Sequence, residues 1–205
     1  METIETHELY TDGACPNNGT EDAIGGFGMA KFMGDAWRKA SFRWDEYLTE
    51  RYGPPTNQKC ELMAVLFVII AMYSEVKEYP KDHKLWSKEG EINSLVKIYS
   101  DSQYVVNGLN SWLHSWKEKD WKNSKKQPIA NMKMWKDIDD ILSKQHMRGV
   151  FTFLHVPGHS GNPGNDAADE AARRGASGHP DGLYGARALT KEDWAEFERL
   201  VKNDA

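Results

Sequence analysis

The twelve residues Leu62–Tyr73 carry no charged side chain, and this run constrains the fold more than any other stretch. As an α-helix it spans about 18 Å, well short of the ~30 Å of a bilayer core. It therefore predicts a buried helix rather than a membrane span. Thr56 and Asn57 offer N-caps ahead of it, and the helix is expected to continue to about Glu78. Its apolar residues go nearly all round, so other elements must cover it on most sides.

The flanking segments supply that cover. His7–Ala14 alternates and ends at Asp12-Gly13, as a strand running into a turn does; Ile24–Phe32 and Ala36–Trp44, joined by Met33-Gly34-Asp35, read as a hairpin. Beyond the helix, Pro80–Ser94 reads as a solvent loop with Trp86 as its anchor. Leu95–Ser100 is a strand ending in Asp101-Ser102, and Ser102 caps a helix through Leu113. Pro128 stands at the first turn of a helix running to about Gln145. Val150–Val156 is a strand, Pro157–Gly164 a glycine-rich loop and Asn165–Arg174 a helix. Gly175–Gly185 is linker-like, after which Trp194, Phe197, Leu200 and Val201 line one face of a terminal helix. Strand–helix alternation after an antiparallel start implies a mixed α/β sheet with helices on its faces.

Composition narrows the function classes. With 205 residues, 40% hydrophobic and 28% charged, the chain can bury about 70% of its surface without a disulfide or metal staple. Met1–His7 is polar and acidic, unlike a secretory or transit segment. An intracellular protein, cytoplasmic or nuclear, is expected, with no membrane partner and a monomeric state. Cys15 and Cys60 are expected as free thiols, small packing residues in a reducing compartment. Net charge is −5, but Trp112–Lys136 holds seven lysines against Glu118 and Asp120, so that segment carries +5 and the remainder −10. Such an asymmetry points toward a polyanion.

Four carboxylates occupy pointed places. Asp12 ends the first strand and Asp101 the fourth; if those strands are parallel neighbours, both acids lie at the carboxyl edge, where open α/β sheets put their sites. Glu61 is one turn into the long helix. Asp169 is one turn into the helix after the glycine loop, with Asp166 three residues before it on the same face. Clustered carboxylates raise one another's pKa. A divalent cation is the natural compensation, and an all-oxygen donor set suits Mg²⁺, with Mn²⁺ as a substitute.

Five segments make the pattern specific: Tyr10-Thr-Asp-Gly-Ala14, Thr56-Asn-Gln-Lys-Cys-Glu-Leu-Met-Ala64, Tyr99-Ser-Asp-Ser-Gln-Tyr104, Val156-Pro-Gly-His-Ser-Gly161 and Gly164-Asn-Asp-Ala-Ala-Asp-Glu-Ala-Ala172. In order and spacing they resemble type 1 ribonuclease H, closer to the cellular stand-alone enzymes than to a retroviral domain. The resemblance covers about residues 7–176. It implies a ribonuclease H-like fold, a five-stranded mixed sheet with helices on both faces, forming a catalytic domain over 1–176 with a linker and short amphipathic helix over 177–205.

The resemblance also implies roles. Asp12, Glu61, Asp101 and Asp169 become the acidic quartet that holds two Mg²⁺ ions; Asp169 is preferred to Asp166 because the family's acid follows the loop histidine by ten positions. Asp12 would bridge both ions, Asp169 would serve the ion that activates water, and Glu61 and Asp101 the ion facing the leaving 3′-oxygen. His159 would transfer a proton or assist product release, as a residue type that titrates near neutrality can. Cys15, Asn17, Asn18, Asn57, Gln58 and Gln103 would read the RNA strand. Thr56, Trp112, Trp116, Ser124 and Asn131 would hold the DNA strand. Lys117, Lys119, Lys122, Lys125 and Lys126, around Trp121, resemble the family's basic protrusion. The arginine that the family places just before Thr-Asn-Gln is replaced by Pro54 or Pro55, so phosphate grip there is either weaker or supplied by Lys59 or another group. The implied activity is endonucleolytic cleavage of RNA in RNA–DNA hybrids. Another nuclease on the same fold and a silent hybrid-binding module are the alternatives.

Overall fold

The computed structural model describes residues 5–78, 94–144, 147, 149–178, 190–192, 194–195 and 198. The expected loop before Ser94, most of the linker and the positions of Phe197, Leu200 and Val201 lie outside them. Five strands form one sheet in the order β3-β2-β1-β4-β5: β1 Glu5–Ala14, β2 Gly26–Met33, β3 Ala36–Arg43, β4 Ser94–Ser100 and β5 Phe151–His155. β1 is antiparallel to β2 and parallel to β4, with Thr11 opposite Ser100. The two central strands therefore end together, and their acids share one edge of the sheet.

Helix α2 (Asn57–Glu78) packs against β1 and β2 on one side of the sheet and against α5 (Met132–Leu142). Every residue from Leu62 to Ile70 is buried, as a helix apolar all round demands. On the other face, α6 (Pro163–Ala176) crosses β1, β2 and β3. Its alanines Ala168, Ala171 and Ala172 are buried, and a Cβ on Gly28 of β2 would lie 2.5 Å from the Ala172 nitrogen. Small residues on both elements are what allow this helix to lie so close to the sheet.

Several boundaries differ from expectation. A helix, α1 (Glu46–Tyr52), follows β3 where none was expected. Asp45 caps it, its Oδ1 accepting from the Leu48 N–H at 2.9 Å, and Gly53 at φ +81° ends it. The helix after Ser102 continues to Glu118 as α3 (Gln103–Asn107), a π-turn (Gly108–Trp112) and α4 (Leu113–Glu118). Pro128 does not open α5: it pairs with Lys122 in an isolated bridge, and α5 begins after Asn131, which adopts φ +55°. The proline closes a turn instead of starting a helix. Gly175 is no linker residue but the buried end of α6, packed on the Phe42 carbonyl. No helix among the described residues is long and apolar enough to cross a membrane.

Candidate active site

Asp12 comes near the end of β1, Asp101 directly follows β4, and Glu61 lies one turn into α2. Gly13 makes the third approach possible. A Cβ there would stand 2.2 Å from the Glu61 nitrogen, so only glycine lets the helix backbone reach the strand end. The result is a group in which Asp12, Glu61 and Asp101 each offer an oxygen within 4.8 Å of the others.

The electrostatics are those of a site assembled against repulsion. Asp12 is 6% exposed. Burial, then the charge of Asp101, push its pKa up to about 7, although the Gly13 N–H donates to its Oδ1 at 2.7 Å. Burial, Asp12 and Asp101 raise Glu61 well above the carboxylate range, and its buried Oε2 has no hydrogen-bond partner. An orphaned carboxylate oxygen beside two further acids is costly unless a cation or proton meets it. The donor set is all oxygen, which fits a hard divalent ion.

Asp169, on α6, stands beside this group rather than within it. Its charge adds to the upward push on Asp12, while its own Oδ2 pairs with Arg173 at 2.8 Å. Asp166 lies exposed in the first turn of the same helix. His159 is exposed at φ +51° in the loop after β5. That loop abuts the acids, because a Cβ on Gly158 would sit 2.8 Å from Asp101 Oδ2.

Asn165 was not singled out from the sequence, yet it is buried in α6 and its Nδ2 donates to Asp101 Oδ2 at 3.1 Å. A neutral donor orients the carboxylate without cancelling the charge a cation needs. His155 adds a contact from its Nε2 to the Asp101 main-chain oxygen at 3.2 Å. The only signal for either residue was its nearness in sequence to the glycine loop.

Of the residues expected on the RNA side, Cys15, Asn17 and Asn18 lie in the β1–β2 turn, Asn57 and Gln58 at the α2 N-terminus and Gln103 at the start of α3. Asn18 Oδ1 accepts from the Asn57 N–H at 3.2 Å, tying the two segments, and Thr56 Oγ1 accepts from the Lys59 N–H at 3.3 Å. Thr56 is thus the cap, and the Asn57 side chain remains exposed. Asn17 adopts φ +57° and its Nδ2 donates to the Asp22 carbonyl at 3.3 Å. Gln58 and Gln103 are exposed. Cys15 differs: its thiol is buried and hydrogen-bonded with Cys60, so only its main chain remains to face a ligand. Lys59 Nζ donates to the Pro54 carbonyl at 2.6 Å, which places its ammonium just ahead of Thr56.

A groove of about 580 Å³ lies beyond, lined among others by Trp112, Trp116, Lys119, Lys122, Ser124 and Lys126. Trp112 ends the π-turn and Trp116 follows four residues later in α4, their centroids 5.6 Å apart; Trp112 is 38% exposed while Trp116 packs onto Trp135. Asn131 opens α5 nearby with its Nδ2 donating to the Tyr104 hydroxyl at 3.2 Å. Asn123 Oδ1 shapes the protrusion by accepting from the Lys125 and Gln127 N–H groups at 2.9 and 3.1 Å. Lys117 turns away from the groove to pair with Asp139 at 2.8 Å.

The family model for RNase H matches residues 5–177. A ribonuclease H from Cupriavidus metallidurans is 33% identical over 169 residues, which is 82% of this chain and 94% of that protein. One from Salmonella paratyphi C is 32% identical over 185 residues, 88% of this chain and 97% of its own. Among solved structures, LC9-RNase H1, a type 1 RNase H with the type 2 active-site motif, superposes with a TM-score of 0.59 at 23% identity, covering 94% of this chain and 81% of that one. The foamy viral protease-reverse transcriptase in complex with RNA/DNA hybrid gives 0.60 at 24%, covering 85% of this chain and 20% of the larger viral protein.

Proposed function

Since the chain belongs to the ribonuclease H family, we propose that it cleaves the RNA strand of RNA–DNA hybrids endonucleolytically, leaving 5′-phosphate and 3′-hydroxyl ends. The observation that carries this reading is the convergence of Asp12, Glu61 and Asp101 oxygens within 4.8 Å, with the foamy viral relative of this fold having been solved on an RNA/DNA hybrid. Two Mg²⁺ ions held by Asp12, Glu61, Asp101 and Asp169, or Mn²⁺ in their place, would supply Lewis-acid stabilisation of the phosphate and a water acidic enough to attack at neutral pH.

The chain's own residues do the remainder. Asn165 fixes the Asp101 carboxylate through its 3.1 Å hydrogen bond. His159, on the loop against Asp101, takes up or releases a proton as the strand is cut and leaves. Asn17, Asn18, Asn57, Gln58 and Gln103 offer both donors and acceptors, which recognition of a 2′-hydroxyl requires; Cys15 contributes its main chain. Trp112 and Trp116 present flat rings that suit deoxyribose, where a 2′-hydroxyl would be desolvated without a partner. Thr56, Ser124 and Asn131 hold the DNA phosphate, and Lys119, Lys122, Lys125 and Lys126 add affinity that does not depend on sequence.

A digest of a duplex carrying one ribonucleotide tract in an otherwise deoxy context tests this reading. Cuts confined to the tract, present with Mg²⁺ and absent with EDTA, are expected, with 3′ ends a polymerase extends directly. Cutting of single-stranded or all-deoxy DNA would assign the fold to another nuclease, and Mg²⁺-independent binding with no cutting would leave only a binding module.

A further inference from the structure

Lys191, Trp194 and Glu198, beyond the family match, contact the body of the protein. Trp194 is 2% exposed and sits among Phe27, Phe42, Leu48 and Phe67, with its ring stacked on Tyr47 at 5.9 Å. Lys191 pairs with Glu50 at 3.3 Å, and Glu198 pairs with Arg51. Arg51 is the centre of this contact. Its side chain is 9% exposed; its Nη2 meets Asp137 Oδ2 of α5 at 2.8 Å, and its guanidinium lies 5.2 Å from the Tyr52 ring and 5.6 Å from the Trp194 ring. Tyr52 completes the cluster, its hydroxyl donating to Asp137 Oδ2 at 2.6 Å and accepting from Arg51 Nε at 2.8 Å.

This cluster joins the end of α1, four residues before Thr56, to α5, which Asn131 opens. Tyr52 ends α1 and is followed by Gly53, Pro54 and Pro55, then Thr56; two prolines make that connection stiff. Asp137 lies on α5, which Asn131 opens. Direct packing of α2 on α5 and the Arg51–Tyr52–Asp137 cluster together tie Thr56 to Asn131. A guanidinium so little exposed needs its charge compensated from more than one side, and Glu198 and the Trp194 ring supply the side that Asp137 does not.

We propose that the C-terminal segment is a clasp that preorganises the DNA-strand side of the groove, with Trp194 and Glu198 as positioning residues acting through Arg51. The inference rests on the hybrid-cleaving function proposed above. None of the contacts named above for Lys191, Trp194 and Glu198 involves Asp12, Glu61 or Asp101, so loss of the clasp weakens grip and leaves chemistry intact.

The test uses the full chain with Glu198→Gln, Trp194→Ala and Trp194→Phe. Initial rates against hybrid concentration are measured at saturating Mg²⁺, well below each variant's melting temperature, and hybrid Kd is measured by anisotropy in EDTA. Glu198→Gln and Trp194→Ala are expected to raise KM and Kd by about 3- to 10-fold with kcat within about twofold of the parent. Trp194→Phe is expected to restore most of the loss. A lower melting temperature with KM and Kd unchanged would overturn the clasp, as would a fall in kcat at constant KM. If Trp194→Ala does not fold, Glu198→Gln decides on the same readouts. Failure of the unaltered chain to cut hybrid would count against the proposed function instead, and the EDTA binding series would still decide on the clasp.

Discussion

Asp12→Asn is expected to give a protein that is inert and yet harder to melt. Activity should fall by at least on the order of 10³-fold, because the residue central to the cation site loses its charge, while hybrid binding stays within a few-fold. The gain in stability follows from the acids' mutual repulsion. Burial and Asp101 lift the Asp12 pKa to about 7, so the metal-free folded state holds a proton that the unfolded chain would release. Stability from this group is complete below the ordinary carboxylate pKa and is lost as the pH rises through about 7. At neutral pH in EDTA the wild type thus carries a penalty on the order of 2–4 kcal/mol, which the amide removes. For a chain of this size that is about 5 °C or more in Tm. The advantage should shrink toward pH 4 and should diminish when Mg²⁺ is added to the wild type. A variant that loses activity and stability together would instead mark Asp12 as a folding residue.

The second large effect lies in the protrusion. Replacing Lys119, Lys122, Lys125 and Lys126 together by alanine should raise KM about tenfold at moderate salt. It should also flatten the dependence of log affinity on log salt by up to about 0.9 for each phosphate that the variant no longer neutralises. Lys117 is the internal control: its ammonium is 2.8 Å from Asp139 and 3.2 Å from Ser143 Oγ, so Lys117→Ala should leave the slope unchanged. An unaltered slope in the quadruple variant would remove the protrusion from substrate binding.

Much of the architecture was readable because local chemistry and global packing agree in this chain. Leu62–Tyr73 demanded cover, and β1, β2 and α5 provide it around α2. Asp12 and Asp101 were legible as strand-end acids because β1 and β4 are parallel neighbours. Pairs at short range also held: Trp112 and Trp116, four apart, do meet. Features set by distant parts of the chain did not show themselves. Helix α1 has only seven residues, too few for an apolar period to stand out, although Asp45 and Gly53 bracket it with proper caps. The π-turn lies where Gly108 meets the Trp135 indole, which is so close that a Cβ would come within 2.2 Å of Cη2. Pro128 looked like a helix start because its fixed φ suits one, but Asn131 takes the left-handed turn that admits α5. Asn165 looked like one polar residue in an alanine-rich helix; its part is visible only once α6 lies beside the end of β4.

The proposed chemistry requires Asp12, Glu61 and Asp101 to act as one cation site, and calorimetric titration of Mg²⁺ into the substrate-free protein near pH 7 probes that directly. Binding should displace the proton retained by the raised carboxylates, so the measured heat should change with the ionisation enthalpy of the buffer, and Asp101→Asn should weaken binding at least about tenfold. Heats independent of buffer, together with equal Mg²⁺ affinity in the wild type and Asp101→Asn, would contradict it.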